Sequence, residues 1–310
     1  MNDEHGPDRQ TQFYHLIIGL VIFLLPCLLI ACDAQQDENY SPQYTTASTT
    51  TGAVLTFGVM PYHNTQLLHE TYAPLVEYLD RNLPEITITM EASHNYEKFE
   101  KKLANRHFDF ALCNPYQTIN SLQDGYQVFA KMGDDDNFRG LIIVRKDSGI
   151  KQIVDLKGKI ISFPAPTALA ATMMPLYYLH NNGLDVNRDI TRLFSSSQES
   201  SVMNVFLRKS AAGSVWLTSW LTFVKHNPRI AAQLEVKWET RPLLNIGLVV
   251  RDDVAAELVA KMQALLVDLH THDEGRQLLA ALLLARFDKA TNATYQPVHD
   301  FMKKYSETIH

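Results

Sequence analysis

The chain has 310 residues, a formal net charge of −6 and 46% hydrophobic content. That is enough apolar matter for a large core, in one big domain or in two lobes. The mild acidity gives no support to nucleic-acid binding, which wants a basic stripe, and no low-complexity domain or solenoid-spaced repeat is visible.

The first feature in chain order is an uncharged run, LIIGLVIFLLPCLLIAC, from Leu16 to Cys32. It is short for a spanning helix and is interrupted by Pro26. It fits the apolar core of a secretory signal. Its end, Leu29-Ile30-Ala31-Cys32, resembles the bacterial lipobox. That resemblance implies a signal peptide over 1–31 and a diacylated, palmitate-type anchor on Cys32. Asp33 resembles the signal that retains lipoproteins at the inner membrane of enteric bacteria. Asp3, Glu4 and Asp8 dilute the positive charge of the leader, and an uncleaved N-terminal anchor is the alternative. Residues 32–52 are polar and rich in Thr, Gln and Ser, with no apolar period, and read as a flexible tether. About 20 such residues span roughly 25 Å end to end. Only Cys113 is left for the body, so no disulfide staples the fold. Inside the apolar run FDFALC, Cys113 reads as a buried, inert thiol.

The body begins at Val54. VLTFGVMP is a strand ended by Pro61. Leu68, Tyr72, Leu75, Val76 and Leu79 then recur at helical spacing. Pro74 implies either a kink or a helix that starts near Ala73. ITITM alternates as a strand, and Tyr96, Phe99 and Leu103 mark a second helix. FDFALCN is a strand buried on both faces. This βαβαβ order implies a parallel sheet covered by helices. YQVFAKM and RGLIIVRK read as two strands around the turn GDDDN.

A second α/β block follows. IVDLKG is a short helix, KIISF a strand, Leu169 to Asn181 a helix, ITRLF a strand, ESSVMNVFLRKS a helix and AGSVWLT a strand. LEVKWET and NIGLVVR return as strands. Leu258, Met262, Leu265, Leu266 and Leu269 form a long amphipathic helix, GRQLLAALLL continues it, and VHDFMKKY closes the chain. The expected architecture is α/β with two lobes. Each lobe is a mainly parallel sheet flanked by helices, and crossing strands join the two. The lobes are placed at 53–145 plus 243–310 and at 146–242. Such halves can hinge over a ligand, and the loops at the carboxyl ends of parallel strands face the cleft.

Several residues follow strands and so reach the cleft. Tyr62 follows the first strand, and Asn114 with Tyr116 follows the third. FPAPTALAATMMPLYYL is a strand, a turn and a helix start, where bare N–H groups can hold an anion. Gln198 can donate an amide hydrogen bond there, while Glu199 suits a helix start whatever its role. Trp216 either stacks on a ligand or plugs the core.

In order, FGVMPY, FDFALCNPY, VRKDSGIKQIVDLKGKIISF, SSSQESSVMNVFLRKS and VWLTSW resemble the periplasmic phosphonate/phosphite-binding proteins, the substrate-binding components of ABC importers. The resemblance spans about residues 53–285. It implies a type II periplasmic-binding fold, a small-molecule ligand and a permease partner. In the family, a Ser-Thr-Ser triplet at the second-lobe helix start holds the phosphonate oxygens. Anchored on Pro175, Tyr177 and Tyr178, those positions fall on Ala168, Leu169 and Ala170, with Thr167 and Thr172 the nearest hydroxyls. A family His-Glu pair becomes Gln198-Glu199. Ala212, Gly213 and Val215 stand where an acidic residue and small polar groups occur, with Trp216, Ser219 and Trp220 nearby. The resemblance also turns Tyr96, Asn114 and Tyr116 toward the ligand; Tyr96 equally fits a core contact.

The sum is a pocket with a degraded anion site. A ligand with a carboxylate or sulfur oxyanion and an apolar body suits it better than a phosphonate dianion, whose oxygens each need a partner. His270 and His272 lie on different helix faces, and Asp134, Asp135 and Asp136 read as a solvated turn, so no metal site is expected. No nucleotide P-loop, nucleophile elbow or cofactor motif is present. The reading is a monomeric, non-enzymatic, membrane-anchored solute-binding lipoprotein on the periplasmic side of a bacterial membrane. It delivers its ligand to an ABC permease, or alternatively reports it to a membrane kinase or cyclase. An enzyme on the same scaffold would need a reactive centre that Cys113 does not supply.

Overall fold

The computed structural model describes residues 52–310. The signal at 1–31, lipid attachment at Cys32 and nearly all of the tether at 32–52 lie outside the described residues. Among those described, no helix is long and apolar enough to cross a membrane.

The first α/β run is β1 (Val54–Val59), α1 (Thr65–Asn82), β2 (Thr87–Ala92), α2 (Tyr96–Ala104), β3 (Phe110–Cys113), α3 (Pro115–Ser121) and β4 (Tyr126–Met132). Asn64 starts α1 by accepting the Leu67 N–H at 3.0 Å. The helix runs through Pro74, which sits on its exposed face where the lost backbone bond is open to water. Asn95 and Asn114 cap α2 and α3 in the same way. Three consecutive helices are thus started by asparagines in the loops that leave β1, β2 and β3.

The second run is β5 (Gly140–Arg145), β6 (Lys159–Phe163), a wide π turn over Leu169–Met173 that continues as α4 (Met174–Asn181), β7 (Ile190–Phe194), α5 (Gln198–Phe206), β8 (Ala212–Trp216), α6 (Leu217–His226), α7 (Pro228–Ala231) and β9 (Leu234–Glu239). The chain returns through β10 (Gly247–Arg251) and ends with α8 (Ala256–Asp268), α9 (Asp273–Ala281), β11 (Phe287–Lys289) and α10 (Gln296–Thr308).

Two sheets result, in the orders β11-β4-β10-β3-β1-β2 and β7-β6-β8-β5-β9. Both are mixed. The βαβ units pair in parallel, β1 with β2 and β3, and β6 with β7 and β8. The strands that bracket each passage between lobes pair antiparallel, β10 with β3 and β4, and β5 with β8 and β9. In β5, Leu141 and Ile143 pack on one face and Ile142 and Val144 on the other, so both faces of the second sheet are covered.

The lobe boundaries differ from the sequence expectation in two places. YQVFAKM and RGLIIVRK do not form a hairpin; β4 belongs to the first sheet and β5 to the second. The chain therefore changes lobe between Met132 and Gly140, not after Arg145. The Asp-rich turn makes the passage itself: Asp135 accepts from Lys131 and from the Asn245 N–H, tying the outgoing and returning connections together. Second, the C-terminal helix does not stay with the first lobe. Val298 sits in the first lobe's core, whereas Ile309 is buried in the second's. Asn187 Nδ2 donates to the Thr308 carbonyl at 3.0 Å, and Phe301 meets the Tyr177 ring at 5.4 Å. α10 is a third connection, strapped across the hinge.

At Gly140 the hinge touches the site helix. A Cβ built there would lie 2.1 Å from the Ala170 carbonyl oxygen and 2.7 Å from Pro175 Cγ. Gly140→Ala therefore forces the start of α4 away from β5. A loss of about 1–3 kcal/mol is expected from overpacking, read as a lower urea midpoint; an unchanged midpoint would contradict this close approach.

Candidate functional site

The helix start seen in the sequence lies where the lobes meet. Ala168 precedes the π turn, and its carbonyl accepts from Thr172 N–H at 2.7 Å and Met173 N–H at 3.3 Å. The N–H groups of Leu169, Ala170 and Ala171 have no preceding turn to bond to. These are the bare donors expected of an anion cradle, and the side chains around them are apolar. Leu169 is fully buried and packs, with Ala170, Met173, Met174 and Trp216, into the core of the first lobe. The position that could carry a hydroxyl instead carries an apolar knob crossing the cleft.

Beside this turn is a cavity of about 10 Å³, bounded by Tyr96, Asn114, Gln198, Trp216 and the Ala168–Ala171 turn, with Met60 and Phe138. That is room for about one water molecule at most. Seven of the ten residues singled out in the sequence are brought together here: Tyr96, Asn114, Ala168, Leu169, Ala170, Gln198 and Trp216. Tyr62 stands behind Trp216, edge to face at 5.4 Å, and shares a 2.9 Å hydrogen bond with the Tyr72 hydroxyl. Thr167 contributes its carbonyl, which accepts from Asn114 Nδ2 at 3.2 Å. Tyr116 does not join the group; half-buried on α3, it packs against the first lobe's own core.

Most polar groups around this turn are already partnered; the buried Thr172 hydroxyl has no partner among the described residues. Asn114 Oδ1 accepts from Gln117 N–H, and Gln117 Oε1 accepts from Asn114 N–H, each at 3.1 Å, which closes a capping box. Gln198 Oε1 accepts the Trp216 N–H at 2.7 Å. Trp216 Nε1 donates to the Asn137 carbonyl at 3.1 Å. Burial pushes the Tyr62 and Tyr96 hydroxyls well above the usual tyrosine range, and the Cys113 thiol well above its own, so all three are neutral. Trp216 thus plugs the interior, and Cys113 is inert.

Sequence reasoning missed Met60, Phe138 and Glu100. Met60 was legible inside FGVMPY, one residue past β1. Phe138 was hidden by the mistaken hairpin. Glu100 lies on α2 and accepts from Gln117 Nε2 at 3.1 Å. Burial is the largest influence on its carboxyl and raises its pKa. The sign follows: folding raises this pKa, so native stability declines as pH rises from the ordinary carboxylate range through the folded value, and stays reduced above it. Glu100→Gln can keep the bond from Gln117 without the charge. It should raise the melting temperature at pH 7, with the gain vanishing on acidification below the ordinary carboxylate range. A destabilised variant at pH 7 would show the charge itself to be needed.

Among the described residues, no group of three or more metal-ligating side chains is placed to hold an ion.

Residues 57–295 match the family described as the periplasmic substrate-binding protein of phosphonate ABC transporters. A probable ABC transporter phosphite-binding protein, PhnD1, of Prochlorococcus marinus (strain MIT 9301) is 22% identical over 204 residues, covering 62% of this chain and 67% of that protein. The structure of PhnD1 with methylphosphonate superposes with a TM-score of 0.75 at 18% identity, covering 82% of this chain and 98% of that one. The binding-protein component of a phosphonate ABC transporter from Pseudomonas aeruginosa gives 0.76 at 18% identity, over 83% and 88%.

Proposed function

Because this chain belongs to the periplasmic substrate-binding proteins of phosphonate ABC transporters, we propose that it is a lipid-anchored member whose phosphonate cradle has been sealed, and that it closes its lobes on a different small solute for delivery to a permease. The family binds solutes and performs no reaction. The observation that carries the sealed-cradle reading is the packing of Leu169 into the opposite lobe, leaving about 10 Å³, at the residue that the family resemblance aligns with the middle of the three oxygen-binding positions.

A phosphonate occupies the space of several waters, so its entry requires Leu169 to leave the first lobe's core. Expelling a buried leucine costs about 1.5–3 kcal/mol in lost burial alone. The three N–H groups of the π turn and the helix dipole remain available to an anion once the lobes part. They are the only part of the inherited cradle that side-chain replacement leaves untouched. An oxyanion bound by these donors alone lacks the charge-assisted hydroxyl and imidazole partners that satisfy a dianion.

The lobe-closing part of the proposal rests on general thermodynamics. A solute that touches both lobes stabilises the closed form by its differential affinity for that form. Anchoring rests on Leu29-Ile30-Ala31-Cys32 and on the polar segment that follows; Asp33 favours the inner membrane.

Two measurements test this. Titration calorimetry with methylphosphonate and with phosphite should detect no nanomolar binding to the native chain, whereas the triple substitution A168S/L169T/A170S should strengthen methylphosphonate binding at least ~10-fold, about 1.4 kcal/mol. Nanomolar binding by the native chain would refute the sealed cradle. Separately, Cys32→Ser should move the protein from the membrane fraction to the soluble periplasmic fraction; persistence in the membrane would point to the uncleaved anchor.

A further inference from the structure

The cleft between the lobes does not end at the sealed cradle. Past Gln198, beside the start of α1, it opens into a cavity of about 330 Å³. This lies within the size range of small-molecule sites, roughly 300–1,000 Å³. The first lobe contributes His63, Gln66 and Glu70; the second contributes Glu199, Ser219 and His226. Both halves of the hinge therefore face whatever enters, as lobe closure requires.

Its charge is one-sided. No lysine or arginine lines the cavity. Glu70 and Glu199 come from opposite lobes, and neither forms an ion pair with a described residue. Glu70 Oε1 accepts one hydrogen bond, from Gln66 Nε2 at 2.8 Å. Glu199 lies in the first turn of α5. The dipoles of α1, α5 and α6, which start here, carry only about half a positive charge each. Two carboxylates from facing walls outweigh them for any guest placed between.

Two buried polar groups also lack protein partners. Ser219 is 3% exposed, and its hydroxyl makes no hydrogen bond. Unpaired buried hydroxyls are uncommon, because each costs about 1–3 kcal/mol. His63 is 9% exposed, lies on the Tyr62 ring at 4.3 Å and makes no hydrogen bond to a described residue. Burial, with a smaller contribution from neighbouring His226, lowers the His63 pKa to about 4, so at neutral pH the ring offers hydrogen bonding without charge.

We propose that this cavity is the protein's solute site and that it takes a small solute bearing a protonated amine, held between Glu70 of the first lobe and Glu199 of the second, with the Ser219 hydroxyl and the His63 ring as its further hydrogen-bonding partners. The assignment rests on the lobe-closing reading above, and it gives that reading a guest chemistry opposite in sign to the inherited one. A diamine and an amino acid share the ammonium group and differ in whether a carboxylate is accepted beside it.

The test is titration calorimetry of the full-length chain in detergent with putrescine, γ-aminobutyrate, uncharged 1,4-butanediol and methylphosphonate. Binding of putrescine or γ-aminobutyrate at micromolar or better affinity, weakening as salt rises, with no binding of the diol, is the expected result. Glu199→Gln should weaken it at least ~10-fold and Glu70→Gln several-fold. Absence of binding by both amines overturns the proposal, as does amine binding that neither substitution alters. The salt series and the diol comparison need only the native chain, so a variant that fails to fold does not blunt the test. Small-angle scattering separates the underlying reading: amine-independent opening and closing of the lobes keeps that reading if the amines fail, whereas a chain that never changes shape removes both.

Discussion

The insertion of Leu169 and Trp216 from the second lobe into the core of the first is the contact on which the rest of the molecule turns. In a binding protein that opens and closes, the closing energy is ordinarily supplied by the guest, which bonds to both lobes at once. Here the protein's own apolar side chains occupy the meeting point. Complete burial of a leucine contributes about 1.5–3 kcal/mol, and a tryptophan no less. A bias of about 2.7 kcal/mol already places a two-state hinge near 99:1. The closed arrangement is thus within reach of interlobe packing alone, and a guest has only to add to it. A guest in the old cradle would instead have to subtract from it.

Hydrogen bonding tells the same story by different means. At the helix start Asn114, Gln198, the Thr167 carbonyl and Trp216 each have a protein partner, and only the buried Thr172 hydroxyl among the nearby described groups has none. A ligand there would exchange one satisfied bond for another and gain little. Beside Gln198 the balance is reversed. Ser219 is buried without a partner, and two carboxylates stand without cations. Unmet bonding capacity is greater a few residues along the cleft than at the packed helix start.

Much of the scaffold was legible because strand and helix periods are local properties. VLTFGV, ITITM and FALC announce themselves by apolar content and spacing, and Asn64, Asn95 and Asn114 mark three helix starts by residue type. Their positions beyond parallel strands then place Tyr96 and Asn114 at the cleft. The passage between lobes was not legible. GDDDN has the composition of a hairpin turn, and nothing within it reveals that Asp135 reaches 110 residues ahead to Asn245 instead of closing a tight loop. Tyr116 was misplaced for a similar reason. The loop after β3 does face the cleft, but at the second residue of α3 the side chain already points back onto its own lobe. Glu70 and His226 sit mid-helix or at a helix end on solvent-facing stretches, and only the packing of two lobes gives them a shared cavity.

The three-way hinge explains how a fold can outlast its ligand chemistry. The passages at 133–139 and 240–246 and the α10 strap fix how the lobes approach one another. Gly140 pins the start of α4 to that hinge through the Ala170 carbonyl. The backbone of the cradle is therefore set by groups that never touch a ligand. The side chains at 168–170 bear no part of that hinge, apart from the packing of Leu169 and Ala170 into the first lobe's core. Removing Leu169 from that core would cost stability whatever the ligand, and fold similarity to the phosphonate-transporter structures at 18% identity speaks for the hinge and the sheets, not for the guest.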